Sequence, residues 1–274
     1  MRISFPGRLS TLFLTAAVLL SAAATNTFAQ GGDRMTAAQR EIQRQRQRLA
    51  SSEAEERRDA LMRLGSLKRL DASRAAIVGL NDPAPMVRVT AAHAILSLPP
   101  QEAVALLTPL LHDKLEFVRR ETAYALGETR SRSAVEPLAN VLLGDKEAGV
   151  RGAAAVALGQ IGDETAVPAL AQALGGPTPQ PKKKKSKARE NEFVLRAAAR
   201  SLGQIRSRAA LNILIAALGN QEYPTDVRRE AAIALGMIGD TAAVPSLRAA
   251  FSSDDPHLSA AAREALRRLR VSMN

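Results

Sequence analysis

Small and branched apolar residues recur three and four positions apart along most of this chain, in short runs broken by polar turns. In residues 150–174 one alanine-rich run ends near Gly159, and a second opens at Ala166-Val167-Pro168. A spacing near 3.6 residues predicts amphipathic helices. Because the turn between the two runs is short, the block predicts two helices packed antiparallel as a hairpin.

Similar blocks recur from about residue 52 to the C-terminus, and this regularity predicts the architecture. Corresponding positions at the ends of the first helices lie 31, 31, 32, 44, 33 and 31 residues apart; they are Gly65, Leu96, Gly127, Gly159, Gly203, Gly236 and Arg267. One hairpin cannot bury its apolar faces alone, so a regular period predicts a stack. We therefore expect an all-α fold, an α-solenoid of about six stacked helical hairpins plus a final half unit, over residues 51–274. We also expect the glycines to end the first helices.

The interval of 44 residues is one period plus an insert at residues 177–189, with the sequence PTPQPKKKKSKAR. Three prolines and a lysine run cannot continue a helix, so the insert is predicted to be a loop between the fourth and fifth hairpins. Six basic groups within eight residues repel one another and favour an extended, anion-attracting segment. These predicted anionic surface-binding residues are Lys182, Lys183, Lys184, Lys185, Lys187 and Arg189. A solvated loop without a ligand is the alternative.

The first 29 residues have the pattern of a secretory signal peptide. Arg2 and Arg8 precede an apolar run, and small residues lead to Ala29. The apolar run is shorter than the roughly 20 residues of a membrane-spanning helix, which disfavours an uncleaved anchor. We therefore expect export, with a periplasmic or extracellular location after cleavage.

Residues 30–50 predict a basic amphipathic helix that precedes the array. Met35, Ala38, Ile42 and Leu49 share one helical face, while arginines spread over the others. A cap over the exposed end of the array is the favoured interpretation, and a partner-binding or membrane-surface helix is the alternative.

Composition narrows the chemistry. The chain has no cysteine, which excludes disulfides, thiolate metal sites and a cysteine nucleophile. Aromatic residues make up only 3%, so the core must consist of Ala, Leu, Val and Ile. The formal net charge of +11 is concentrated in the N-terminal segments and the insert, which leaves the repeat array close to neutral. A near-neutral array without tryptophan argues against nucleic-acid binding.

Charged residues inside the array recur in register with the repeats. An aspartate stands six residues before an arginine in three of them: Asp82 before Arg88, Asp113 before Arg119, and Asp145 before Arg151. An arginine stripe for an acidic ligand is one interpretation. A structural role is the other, and the regular recurrence favours it. Leu195 stands at the arginine position of the fifth repeat, directly after the insert, and breaks the pattern.

The pattern V-R-x-x-A-A-x-A-L-G-x-I-G-D-x-x-A-V-P-x-L, nearly complete at residues 150–170 and 227–247, resembles the HEAT repeat. It is most similar to the HEAT-like repeats of phycobilisome bilin lyases, and the resemblance covers roughly residues 52–270. It implies an α-solenoid whose second helices line the concave surface. It also implies that the aspartates and arginines stack into a ladder that ties each turn between repeats to its neighbour. It leaves the function open, because repeats of this type serve as binding scaffolds, lyase subunits and a few enzymes alike.

No constellation of catalytic residues emerges from the sequence. The three histidines, His93, His112 and His257, fall in different repeats, and no His-Glu dipeptide occurs as in the HEAT-like iron enzymes. No serine lies in a Gly-x-Ser-x-Gly elbow, and no Gly-Lys-Ser/Thr follows the paired glycines at 175–176. We expect a non-enzymatic protein with no catalytic residue, no metal ligand and no cofactor.

The second helices supply the predicted binding surface. Because Val104, Leu107, Thr108 and Leu111 form the apolar face of one of them, the residues on the opposite side are predicted to be free. Across the repeats this predicted partner-binding set is Leu106, Leu110, Val141, Ala169, Ala173, Ile213 and Ala217. A groove of small and aliphatic residues suits an amphipathic helix or an extended peptide. Packing between neighbouring hairpins is the alternative role.

Together these observations predict an exported, non-enzymatic scaffold that binds a protein partner of unknown identity along its concave face. Two alternatives are peripheral binding to an anionic lipid or lipopolysaccharide surface through the insert, and an accessory subunit resembling bilin lyases.

Overall fold

The computed structural model describes residues 35–175 and 190–271. The described residues form fourteen α-helices and no β-strand, which confirms the all-α prediction. The chain divides into two compact parts, residues 1–41 and residues 42–274. The described residues of the first part form the beginning of helix α1 (Ala37–Arg48), where the Thr36 hydroxyl accepts a hydrogen bond from the Gln39 amide N–H at 3.2 Å. The second part holds the repeats.

Six helical hairpins and a last helix follow one another, which confirms the solenoid. We number the hairpins as repeats 1 to 6. The first helices are α2 (Ala54–Ser66), α4 (Pro85–Ala94), α6 (Glu116–Glu128), α8 (Ala148–Ile161), α10 (Glu192–Ile205) and α12 (Thr225–Ile238). The second helices are α3 (Leu70–Ala76), α5 (Pro100–Leu107), α7 (Val135–Gly144), α9 (Val167–Ala173), α11 (Leu211–Gly219) and α13 (Val244–Phe251). Helix α14 (Pro256–Arg268) completes the array.

The core is continuous and aliphatic, as the composition predicts. Alanines of the first helices are almost fully buried, and most second helices add buried leucines such as Leu107 and Leu138, whereas Leu70 of α3 is 46% exposed. Ile42 of α1 is also buried, whereas the predicted apolar face extends no further toward the N-terminus, since Met35 is exposed. The role of α1 as a cap stays a prediction.

The first glycine of the repeat pattern lies one or two residues before the end of its helix, contrary to the prediction, whereas the second glycine caps α8 and α12 at Gly162 and Gly239. Gly127 and Gly203 are followed by further helical residues, because their role is to let the next first helix approach. A Cβ on Gly203 would lie 2.7 Å from the Cα of Ala234, and a Cβ on Gly127 would lie 2.8 Å from the Cα of Ala157. Neighbouring first helices thus touch backbone to backbone, which a side chain would prevent.

The aspartate and arginine residues form a ladder between repeats, as predicted. Each arginine binds the carboxylate of the next repeat with two hydrogen bonds, and its remaining nitrogen binds a carbonyl of its own turn. In the third repeat Arg119 Nε donates to Asp145 at 2.7 Å, and Arg119 Nη1 donates to the Asp113 carbonyl at 3.0 Å. The full series is Arg57–Asp82, Arg88–Asp113, Arg119–Asp145 and Arg151–Glu190.

The insert does not interrupt the stack. Arg151 reaches Glu190 beyond the insert at 2.6 Å, and Ser201 Oγ donates to the Ala155 carbonyl at 2.8 Å. The ladder ends there, because Leu195 is buried in the place of the next arginine. In repeat 6, Arg228 donates to the Leu218 carbonyl rather than to a carboxylate of α14.

The turns between the first and second helices pass through left-handed backbone in every repeat except repeat 2. Repeats 4 and 6 use glycine there, with φ of 74° at Gly162 and 79° at Gly239. The non-glycine residues with positive φ in the described chain are all basic. They are Lys68, Arg130, Arg206 and Arg270, with φ between 48° and 58°.

Candidate functional site

The outward surface of the second helices is a narrow ridge. Two residues of each second helix, or of the 3₁₀ turn that continues it, lie four positions apart and point away from the core. We define this outer ridge as Arg74 and Val78, Ala105 and Pro109, Glu136 and Asn140, Pro168 and Gln172, Asn212 and Ala216, and Pro245 and Ala249. All but Arg74 and Glu136 are uncharged, so the ridge is a nearly neutral surface of small side chains.

The predicted partner-binding set lies one position away from this ridge, and its predicted exposure is wrong for most members. Leu106 and Ile213 are partly exposed, whereas the other five are buried: Leu110, Val141, Ala169, Ala173 and Ala217. A second helix packs on its own first helix and also on the second helices beside it. The residues next to the ridge therefore fill the lateral contacts, which was the alternative role. Partner binding by Leu106 and Ile213 stays a prediction.

The ridge is interrupted by a cleft of about 840 Å³ between the second helices of repeats 2 and 3. Its apolar walls are Leu111, Pro137 and Val141, and polar side chains surround them. The polar lining consists of Thr108, His112, Asp113, Arg119, Ser133, Glu136, Asn140, Asp145 and Lys146. The cleft could accept one or two side chains of a partner.

Two ladder residues form the most polar part of the cleft. The Arg119 and Asp145 side chains are only 8% and 9% exposed. Burial acts to raise the pKa of Asp145, but the hydrogen bonds from Arg119 and from the Glu147 amide outweigh it, so this pKa is lowered. The pKa of Arg119 is raised by its hydrogen bond to Asp145. Both groups stay ionised and satisfied, which makes them structural.

The ladder predicts that the stability of the fold depends on pH. The hydrogen bond from Arg57 lowers the pKa of Asp82, as the Arg119 bond helps to do for Asp145. A depressed folded-state pKa adds stability above the unfolded value of about 3.9, and this is lost as the pH falls through the folded value. The thermal midpoint measured by circular dichroism should therefore drop below about pH 4. The Asp145→Asn variant should have a lower thermal midpoint at pH 6, and this midpoint should fall less steeply in acid. An equally steep fall would contradict the role assigned to Asp145.

The remaining predicted site residues lie elsewhere. The signal peptide and the six basic residues of the insert fall outside the described residues. The His93, His112 and His257 side chains are not brought together, and residues 35–175 and 190–271 contain no group of three or more His, Cys, Asp or Glu that could hold a metal ion. None of the described helices has the length and apolar character needed to span a membrane.

Several ridge residues were missed by the sequence reasoning. Asn140, Gln172 and Asn212 interrupt apolar helices with amides, and the side chains of all three are at least partly accessible. Amide residues within otherwise aliphatic helices were the available signal, because a polar side chain there disfavours burial.

A helical array of this kind, with a period near 31 residues, an inter-repeat ladder and an outward ridge of second helices, defines an α-solenoid repeat protein. The family model of HEAT repeats matches residues 42–127, 116–186 and 184–267. The chain therefore belongs to the HEAT repeat family.

Several solved structures are similar to this chain. The chain is similar to the YibA protein of Escherichia coli, with 18% identity, coverage of 98% of this chain and 100% of that one, and a TM-score of 0.56. It is also similar to the complex of CpcE and CpcF of phycocyanin lyase from Nostoc (24% identity, 87% and 88% coverage, TM-score 0.48). A third similar structure is human deoxyhypusine hydroxylase (22% identity, 84% coverage of each chain, TM-score 0.42). No curated protein sequence matches the chain significantly.

Proposed function

We propose that this protein is an exported, non-enzymatic scaffold that binds a protein partner along the outer ridge and its cleft. The ridge is the observation that carries the proposal, because it is a long, nearly uncharged surface of side chains that point away from the core. Alanine and proline keep it flat, so a partner backbone can approach closely. Export rests on the pattern of residues 1–29 alone.

The amides of the ridge give the partner surface its specific chemistry. Asn140 lies in the cleft, and Gln172 and Asn212 follow on the next two repeats. The described residues show no hydrogen bond to these three side chains. Each amide offers both donors and an acceptor, which match the N–H and C=O groups of an extended segment. A flexible segment of the partner, with an apolar or amide side chain seated in the cleft, therefore fits better than a charged surface.

This proposal predicts that charges on the ridge abolish binding. The partner should copurify with the tagged protein from an envelope fraction. The Ala105→Asp/Ala216→Asp variant changes two exposed ridge residues. It should lower the affinity at least tenfold, about 1.4 kcal/mol, because a carboxylate would be desolvated in the interface. Isothermal calorimetry with the isolated partner would measure the change.

A matched control is available on the opposite surface. Met62 of α2 is 53% exposed and lies on a first helix, away from the ridge. The Met62→Asp variant carries the same kind of change and should bind the partner as the unmodified protein does. Unchanged binding by the ridge variant, or equal loss in both variants, would refute the ridge as the binding surface.

The alternative function, attachment to an anionic envelope surface through the insert, stays a prediction from the charge of residues 182–189. The likeness to bilin lyase subunits extends to the repeat fold, and an accessory role of that kind is not favoured by any group of side chains in the described residues.

A further inference from the structure

A row of basic turns runs along one edge of the array. We define the turn row as the four left-handed basic residues Lys68, Arg130, Arg206 and Arg270. They stand at corresponding turns of repeats 1, 3 and 5 and after α14, so they recur at every second repeat. The insert leaves the array after Gly175 and returns at Glu190, at the opposite edge, where second helices end and first helices begin.

The backbone does not require basic residues at these turns. A left-handed conformation strains every residue with a Cβ, and glycine adopts it without strain. The chain itself uses glycine at the corresponding positions of repeats 4 and 6, Gly162 and Gly239. Four basic side chains thus occupy positions where the fold also accepts glycine.

Ion pairing does not explain them either. In the described residues no carboxylate lies within salt-bridge distance of any of the four.

A helix dipole favours a cation at the end of a first helix. However, repeats 3 and 5 continue with a second arginine, Arg132 and Arg208, at the beginning of the second helix, where the dipole disfavours a cation. These two side chains are 73% and 85% exposed and contact Asp163 and Asp240 of the next repeat.

We propose that the turn row binds a linear, flexible polyanion of the acidic polysaccharide class. Packed helices lie about 8–10 Å apart, so the row places a cation about every 20 Å. A polymer with closely spaced anionic groups can satisfy every cation of such a row. Stacked hairpins rotate progressively, which takes the turns out of one plane and disfavours a flat bilayer. The turns contain no aromatic residue on which a nucleic acid base could stack.

The test uses the full chain with the six basic residues of the insert changed to glutamine, so that salt dependence reports on the array. Heparin serves as the probe, and binding is measured by calorimetry over a range of salt concentrations. In the Arg130→Gly/Arg206→Gly variant the slope of log K against log salt should fall by about 1.4, roughly 0.7 for each cation lost on a flexible polyanion. Glycine relieves the left-handed strain, so the variant should melt at the same temperature or higher.

The matched control removes the same charge from the opposite edge. Lys114 is an exposed residue of a turn between repeats and does not line the cleft. The Lys114→Gln variant, compared with Arg130→Gly alone, should keep the slope nearly unchanged. Equal losses in the two variants would overturn the proposal in favour of diffuse attraction. It would also be overturned if the protein bound vesicles of anionic phospholipid but not heparin. Loss of all heparin binding on removal of the six insert charges alone would overturn it as well. None of these outcomes depends on the protein partner of the ridge.

Discussion

The free energy of unfolding of the Arg119→Ala variant is expected to be about 3 kcal/mol lower than that of the unmodified protein. Removing the guanidinium leaves the Asp145 carboxylate buried without its main counter-charge and leaves the Asp113 carbonyl without a donor. Breaking a buried ion pair costs about 3–5 kcal/mol, and the lower end applies because the pair lies at the edge of the array. Urea denaturation followed by circular dichroism measures the loss.

A double variant separates this penalty from the net contribution of the pair. In Arg119→Met/Asp145→Asn no charge is left buried, and the asparagine can still accept the hydrogen bond from the Glu147 amide. About half of the lost stability should return. If the double variant were less stable than the unmodified protein by the sum of the losses measured for Arg119→Met and Asp145→Asn singly, the ladder would not act as a coupled pair.

The Gly203→Ala variant is expected to lose about 2–3 kcal/mol, since the added Cβ would lie 2.7 Å from the Cα of Ala234 and 2.8 Å from its Cβ. No flexible side chain can move away here, because the obstacle is the backbone of α12, and the two first helices must separate. Denaturant unfolding and the thermal midpoint both report this loss.

Gly219 provides the matched control. It also lies in a helix of repeat 5, and a Cβ there would have no neighbour within 4 Å. The Gly219→Ala variant should therefore be as stable as the unmodified protein, or more stable by about 0.4–1 kcal/mol, because alanine reduces the freedom of the unfolded chain. Equal destabilisation at the two positions would contradict the close-packing role of Gly203.

The repeat, the hairpins and the ladder were predictable because each depends on local spacing that recurs. Arg119 and Asp145 stand at fixed positions of their repeats, and the resemblance to HEAT repeats implied that such residues pair between neighbours. The role of Gly203 was not predictable in the same way. Glycine near a helix end is common as a terminator, and only the packing of two backbones shows that it is needed for close approach.

The residues predicted to face outward on the second helices lie one position after the residues that do so. The apolar period shows which side of a second helix meets its own first helix, but it does not show the contacts with second helices on either side. Ala169 and Ala217 are small and apolar whether they fill such a lateral contact or face a partner. Asn140 and Gln172 carried the missing information, since amides are rarely left without a partner inside an aliphatic core.

The end of the ladder gives the array an unequal mechanical strength along its length. Bidentate pairs link the junctions as far as Arg151 and Glu190, whose side chains are 18% and 26% exposed. Repeats 5 and 6 are joined by Arg200, which is 60% exposed, and Glu230. In a linear array, opening propagates where the coupling between neighbours is weakest. The C-terminal hairpins are therefore the end from which the solenoid unzips, and the N-terminal four act as one cooperative block.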